Sequence, residues 1–570
     1  MWPGVCAPGH IIINMSKLKI LMCSEASFLS SGFGTYTKEL LSRLHKTNKY
    51  IIAEFASYGF VNDHRDKDIN WIYYANAVKD TDPRHAEYTS RGDNQFGRWR
   101  FDKVLLDFKP DIVIDIRDYW MSSYQAMSPL REYFHWVLMP TVDSEPQQEE
   151  WMDTFLSADA VFTYSDWGAQ VLKKQSAGKV KYIDTVSPGV DLDVFRIKDR
   201  DSIRHTFGVA NNAILIGSVM RNQKRKLIPE LLISFRMLID NLSSSQPEIA
   251  SKLFLYLHTS YPDMGWDIPE LLKDYRVANR VLFSYVCKNC KQVSCSVYSG
   301  PQKVCEKCLH KSCSMPSVTE GFSTESLCDI YNMFDLYVQY SICEGFGMPQ
   351  VEAAACGVPV ITVNYSAMCD IIKKLNAYPV EVKTKFKELE TKAFRVYPDN
   401  DQLVSTIIDF IQLPEPIKNQ KRIEIRRLTE QNYNWDDICL KWQAYFDKLD
   451  SSGFRINWNK SLQTLKNTNM PSLPDKSKYF ATLVNECGQS LGDISKIGSY
   501  QMLNLLKHAD YGFTQLSPTQ ITSFGYQNIH DFIQSMVTNH NHAARARAGN
   551  VSLDEDFITY AKLKQETSHE

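Results

Sequence analysis

The stretch SICEGFGMPQVEAAACGVPVITV, residues 341–363, constrains this chain more than any other. It follows LYVQY at 336–340, an apolar run of strand type, and opens as a loop through Glu344, Gly345, Phe346 and Gly347. Pro349 lacks the N–H that would go unpaired in a first helical turn, and Gly357 with Pro359 beyond it marks the stop. Val360 to Val363 is short and β-branched, as in a buried parallel strand. The order is strand, glycine loop, helix, strand: a βαβ unit.

In such a unit the loop at the carboxyl end of the strand faces the ligand crevice, and free N–H groups at the helix start favour an anion there. Phosphate is the anion that fits. Glu344 and Glu352 have seven residues between them, one before the helix and one a turn inside it, so both can face the crevice. Carboxylates beside a phosphate site repel it unless they accept hydrogen bonds from hydroxyls on the same ligand. A sugar nucleotide carries both groups.

The Glu-x7-Glu spacing inside EGFGMPQVEAAACGVP resembles the donor-binding motif of retaining glycosyltransferases of the GT-B fold, family four. The resemblance implies two Rossmann-like, doubly wound α/β domains facing a cleft. It implies that Glu344 contacts the transferred sugar, Glu352 the ribose hydroxyls, and the amides of Gly345, Phe346, Gly347 and Met348 the diphosphate. Without it the stretch is an ordinary βαβ unit with two solvated carboxylates.

The chain has 570 residues, enough for three to four domains, and a formal charge of −2. So small a charge offers no global basic field for nucleic acid and no acidic excess that would favour disorder. Apolar runs such as AILIGSV are too short to span a bilayer, and the N-terminus lacks a basic start before a long apolar core. The expectation is a soluble intracellular protein, cytoplasmic, or in the host cytoplasm if viral. Residues 1–14 look unlike the rest, and Met15, just ahead of the first strand, reads as the start of the fold.

Gly32 and Gly34 sit just before a helix on which Tyr36, Leu40, Leu41 and Leu44 recur at helical spacing. Their position resembles the family's first-domain glycine loop, which borders the donor diphosphate and the acceptor. Alternating strands and helices continue through IIAEFASYG, DIVIDIRDYW, HWVLMPTVDSEP and AVFTYSDWGAQVLKK, the pattern of a doubly wound parallel sheet. Many family members carry a histidine near the reacting carbon after one of these strands. Here the loops offer Arg117 and Asp118, and then Asp143; Asp143 is the first candidate for acceptor-side chemistry and Asp118 the second.

Residues 182–195 resemble the family's hinge, with the second domain beginning near Thr206. Arg221 and Lys226, five residues apart at a strand end and helix start, resemble its Arg and Lys pair, two fixed cations for a diphosphate leaving group. A solvated basic cluster with Lys224 and Arg225 is the plainer reading. With protein cations in that role, no catalytic metal is expected.

The alternation breaks between Tyr285 and Glu320. Cys287 and Cys290, then Cys305 and Cys308 after a gap of fourteen residues, have the spacing of a zinc ribbon, and a closed set of four thiolates makes the zinc structural. Cys295, His310 and Cys313 are spare ligands. Six of the fourteen cysteines cluster here and the others are scattered, which favours metal and buried thiols in a reducing compartment over disulfides. Five lysines against Glu306 make the ribbon a candidate surface for an anionic acceptor or partner, nucleic acid among them, although a small stabilising knob with solvated lysines is the plainer reading.

The organisation expected is a first Rossmann-like domain over 15–190; a donor-binding domain over 206–431 with the insert at 286–317; a cross-over helix at 432–450 that braces the first domain; and a helical extension over 451–570. The donor is a nucleotide-diphosphate sugar, and the acceptor stays open between a glycan, a lipid-linked glycan, a protein and a modified nucleic-acid base. The rival from another class is a non-catalytic scaffold that contacts nucleic acid or a protein through ribbon and extension. Neither the sugar nor the oligomeric state is legible.

Overall fold

The computed structural model describes residues 17–450 apart from 64, 66–68, 129 and 318–321, together with 453, 458 and a short strand at 558–559. The expected helices of the extension and the start at Met15 lie outside the described residues.

Two sheets carry the molecule. The first runs β1 (Leu18–Glu25), β2 (Tyr50–Ser57), β3 (Ile72–Ala75), β4 (Ile112–Asp115), β5 (His135–Leu138), β6 (Ala160–Thr163) and β7 (Ile183–Thr185). Their spatial order is β3-β2-β1-β4-β5-β6-β7, all parallel, the doubly wound order in which the reversal beside β1 opens a crevice at the carboxyl ends. These strands are nearly continuous apolar runs because helices cover both faces.

The second sheet contains β8 (Ile214–Val219), β9 (Leu253–His258), β10 (Val281–Cys287), β11 (Val293–Val297), β12 (Gln302–Lys303), β13 (Cys313–Ser314), β14 (Leu336–Gln339), β15 (Val360–Val363) and β16 (Tyr378–Val380). Its parallel core is β10-β9-β8-β14-β15-β16. A two-stranded ribbon, β17 (Val382–Lys387) with β18 (Phe394–Pro398), follows, and β19 (Ile558–Thr559) pairs antiparallel with β3. The central βαβ unit therefore falls as the sequence predicts, β14 to β15 around the helix Met348–Ala355, with Gly357 at a φ of +70° just past its end.

The insert grows out of the sheet. β10 pairs with β9 through Val281–Phe283 and runs on to Cys287, pairing with β11 along Leu282–Val286 and with β13 at Val286 and Cys287. Arg200 and Arg204 both bind Asp335, and Arg204 donates to the Met333 carbonyl, so the helix Arg200–Phe207 is already tied to the second sheet.

The helix Trp435–Phe446 packs against the first half. Trp442 Nε1 donates to Tyr36 Oη at 3.0 Å, Trp435 meets the Tyr36 ring edge-on at 5.0 Å, and Phe446 meets Tyr50 at 5.7 Å. Where the chain crosses back, Val190 N donates to the Tyr433 carbonyl at 2.8 Å, and a Cβ on Gly189 would lie 2.7 Å from the Trp435 ring. Among the described residues, no helix is long and apolar enough to cross a membrane.

Candidate active site and metal centre

The loop from β14 to the helix Met348–Ala355 holds Glu344 by four hydrogen bonds. Its N–H donates to Ser366 Oγ at 2.9 Å; its carboxylate accepts from Gln339 Nε2 at 2.7 Å, from Arg225 Nη1 at 3.1 Å and from Lys226 Nζ. The residue is 4% exposed. Burial pushes its carboxyl up, but the Lys226 ammonium and then the Arg225 guanidinium override that and bring it down to about 2. Burial in turn lowers Lys226, against the attraction of Glu344. Glu344 is an anchored carboxylate: Oε1 accepts twice and Oε2 once, which leaves one acceptor site open to a ligand hydroxyl.

Gly347 takes a φ of +86°, which a side chain would strain, and the Gln350 amide donates back to the Phe346 carbonyl at 2.9 Å. The amides of Gly345, Phe346, Gly347 and Met348 donate to no acceptor among the described residues and sit at the positive end of that helix. The Phe346 side chain is buried against Tyr433, so only its backbone is available to a ligand. Glu352, one turn in, accepts from Tyr331 Oη at 2.7 Å, and burial holds its carboxyl up at about 7.

Opposite this loop stands the first half. A Cβ built on Gly345 would lie 2.5 Å from Thr141 Cγ2, and one on Gly32 would lie 3.9 Å from Met348 Sδ. The two glycine loops thus face each other across the cleft. Gly32 and Gly34 lie in the first turn of the helix Gly32–Lys46 and not ahead of it, because Ser31 caps that helix by accepting the Gly34 N–H at 3.1 Å. Asp143 sits at the carboxyl end of β5, where Arg395 Nη1 donates to Oδ1 at 2.9 Å and the Cys343 thiol to Oδ2 at 3.2 Å. Arg395 also binds Glu388, so the β17–β18 ribbon is strapped to the first half next to Glu344.

Two candidates stand elsewhere. Arg221 turns to Asp263, with contacts of 2.9 and 3.0 Å, and its side chain is 43% exposed; the structure brings Lys226 to Glu344 and does not bring Arg221 there. The guanidinium beside Glu344 belongs to Arg225, which the sequence reading left among solvated cations. Arg117 points inward, wholly buried, onto Asp115, Ser57 and the Phe96 carbonyl. Gln339, Ser366 and Thr141 had no sequence signal, since each meets the loop through the fold and not through a motif.

The Sγ atoms of Cys287, Cys290, Cys305 and Cys308 lie within 4.8 Å of one another, with 3.5 Å between Cys287 and Cys308 and 3.6 Å between Cys290 and Cys305. Four thiolates around one Zn²⁺ at about 2.3 Å would stand about 3.8 Å apart, so the donor set suits a tetrahedral metal. The Cys290 N–H donates to Cys287 Sγ at 3.4 Å, as a tight metal-binding turn requires. Of the spare ligands, Cys295 donates to the Phe207 carbonyl, and His310 Nδ1 lies 2.6 Å from the Cys308 carbonyl oxygen.

Residues 295–424 match the family model described as Glycosyl transferases group 1. The D-inositol 3-phosphate glycosyltransferase 2 of Catenulispora acidiphila is 26% identical over 216 residues, 38% of this chain and 42% of that protein. The D-inositol 3-phosphate glycosyltransferase of Kribbella flavida is 28% identical over 207 residues, 36% and 40%. The chain spans about 40% of the length of the curated relatives it matches. Among solved structures, sucrose-phosphate synthase from Thermosynechococcus elongatus aligns over 76% of this chain and 99% of its own, with a TM-score of 0.54 and 16% identity. Anabaena Alr3699/HepE in complex with UDP-glucose aligns over 76% and 100%, with a TM-score of 0.51 and 13% identity.

Proposed function

From a GT-B fold whose residues 295–424 match the glycosyl transferases group 1 family model, we propose a glycosyltransferase that moves a sugar from a nucleotide-diphosphate sugar to an acceptor hydroxyl with retention of configuration. The observation that carries this reading is Glu344, a buried carboxylate clamped by Lys226, Arg225 and Gln339 on a loop of free amides, within reach of the opposite half. A scaffold has no use for such a clamp, which costs desolvation of two charges, Glu344 and Lys226.

In this mechanism the amides of Gly345 to Met348 and the cations Lys226 and Arg225 take the diphosphate, while Glu344 fixes the sugar and Glu352 accepts from the ribose. Arg221 serves from the rim once a phosphate competes with Asp263. The anomeric C–O bond breaks with its electron pair going to the diphosphate. The acceptor oxygen bonds to the same face of the anomeric carbon, and its proton passes to the departing phosphate oxygen. Fixed charges aimed at the leaving group lower this barrier without a catalytic metal. Asp143, held by Arg395, positions the first-half wall.

The four-cysteine centre is proposed to hold one structural Zn²⁺, since all four positions are filled by thiolate and none is left for water. The twelve free cysteines among the described residues support a reducing compartment, the cytoplasm.

One titration tests the reading. Purified chain is mixed with a panel of nucleotide-diphosphate sugars, UDP-glucose included, and both the melt and the slow release of nucleoside diphosphate to water are followed. A true donor at a hundredfold excess over its dissociation constant adds about 2.7 kcal/mol of stability. Binding with slow donor hydrolysis supports the enzyme, and the anomer of a transferred product, read by NMR, decides retention. No binding and no hydrolysis across the panel would refute it.

A further inference from the structure

The wall that faces the donor loop is acidic and aromatic. Glu25 ends β1, Asp118 follows β4 and Asp143 follows β5, three carboxylates at the carboxyl ends of neighbouring strands. They are close enough to feel each other. Burial pushes the Asp118 carboxyl up, the Thr141 hydroxyl bonded to it acts against that, and the charges of Asp143 and Glu25 push it further while Arg225 opposes them. Thr141 is the residue that Gly345 touches, so Asp118 stands one side chain away from the sugar end of the donor site.

Among the described residues, three guanidinium groups of this half and of the strap against it are held in ion pairs. Arg117 is buried on Asp115, Arg98 is paired with Asp93 at 2.7 Å, and Arg395 spans Asp143 and Glu388. Arg225, the cation that reaches from across the cleft, is bound to Glu344. A phosphate on the acceptor would meet these carboxylates, and Arg225, the guanidinium that reaches them from across the cleft, is the one assigned above to the donor diphosphate.

Beside the carboxylates lies an aromatic group whose outermost ring is exposed. Trp120 is 49% exposed two residues after Asp118, and Phe96 holds it edge-on at 4.9 Å. Phe96 in turn meets Tyr58 edge-on at 6.1 Å, and the Tyr58 phenol lies within electrostatic reach of Glu25. A large indole left in water at a cleft edge costs apolar hydration that a flat apolar ligand face would relieve. A sugar ring has that composition: C–H groups on its face for the indole, and hydroxyls on its rim that donate to carboxylates.

We infer that the acceptor is an uncharged sugar, bound on Trp120 with its hydroxyls directed to Asp118 and Glu25, and that this wall rejects phosphorylated acceptors and nucleic acid. The inference rests on the glycosyltransferase reading above. It assigns Trp120, Asp118 and Glu25 to acceptor selection, and leaves Asp143 to hold the strap.

The test uses the full chain with the donor that its own hydrolysis identifies. Acceptors are free mono- and disaccharides, their 6-phosphates, D-inositol 3-phosphate and a duplex DNA oligonucleotide, with nucleoside diphosphate release as the readout. At least one neutral sugar should raise release well above hydrolysis and exceed its own phosphate ester at least tenfold in kcat/KM. Trp120→Ala should raise the acceptor KM about tenfold, with Trp120→Tyr recovering most of it, and Asp118→Asn should shift the ratio of phosphorylated to neutral acceptor use upward. Preference for a phosphorylated acceptor or for DNA, or an acceptor KM indifferent to Trp120→Ala, would overturn the inference while donor hydrolysis persists. Absence of hydrolysis with every donor would instead overturn the enzymatic reading on which it stands.

Discussion

Glu344→Gln replaces one carboxylate oxygen with an amide and leaves the Lys226 ammonium, whose side chain is 9% exposed, without its counter-charge. A carboxyl held at about 2 where 4.5 is ordinary contributes ~3 kcal/mol, at ~1.4 kcal/mol per pH unit. Arg225 is 41% exposed, so solvent screens its share and most of that figure belongs to Lys226. Independently, removing one partner of a buried pair costs about 3–5 kcal/mol. Both routes give ~3 kcal/mol at pH 7.

The sign of the pH dependence follows from the lowered carboxyl. Its stabilisation is complete above 4.5, the unfolded value, and disappears as pH falls toward about 2, the folded value. Equilibrium urea unfolding of wild type and Glu344→Gln should therefore differ by ~3 kcal/mol at pH 7 and converge as the pH is lowered through that window. Lys226→Met combined with Glu344→Gln removes both charges and should recover about two-thirds of the loss without recovering transfer. A difference under ~1 kcal/mol at pH 7, or one unchanged at pH 3, would refute the clamp as a buried ion pair.

Three further changes probe the surroundings. Gly345→Ala places a methyl 2.5 Å from Thr141 Cγ2 and should lower transfer, whereas Thr141→Ser in the same chain removes the opposing methyl and should restore most of it. Elemental analysis should find about one zinc per chain, and Cys290→Ser should lose the metal and lower the melting temperature; a metal-free wild type with an unaltered melt would exclude the centre. Arg395→Ala strands Asp143 and Glu388 and should cost about 2–4 kcal/mol, with faster proteolysis of the Glu388–Ala393 turn; unchanged cleavage would mean that the strap does not hold the ribbon.

What could be read in advance was whatever is local. Strand, loop, helix and strand around Glu344 are set by proline, glycine and β-branched positions a few residues apart, and the cysteine pairs reach one another through two tight turns. Arg221 and Arg225 show the limit. Both lie at the same strand end, and which one reaches Glu344 is decided by Asp263, 42 residues from Arg221, which captures the first and leaves the second free to turn inward. Arg395 and Asp143, 252 residues apart, are joined by a ribbon whose sequence shows alternation but nothing of what it grips. The continuation of β10 into Cys287 was hidden for the opposite reason: the motif read as an appendage because its ligands announce a metal and say nothing about the sheet.

The helix Trp435–Phe446 bears on how the molecule is made as well as on how it stands. Tyr36 is bonded to Trp442, 406 residues later, and Tyr50 packs on Phe446. At about 5–20 residues per second a ribosome needs about 20–80 s to bring these partners together. Through that interval the first half emerges with the groove that receives two tryptophans and a phenylalanine uncovered, a nascent apolar surface awaiting the helix Trp435–Phe446. Chains that stop short of Trp435 should bind hydrophobic-surface chaperones far longer than chains that pass Phe446.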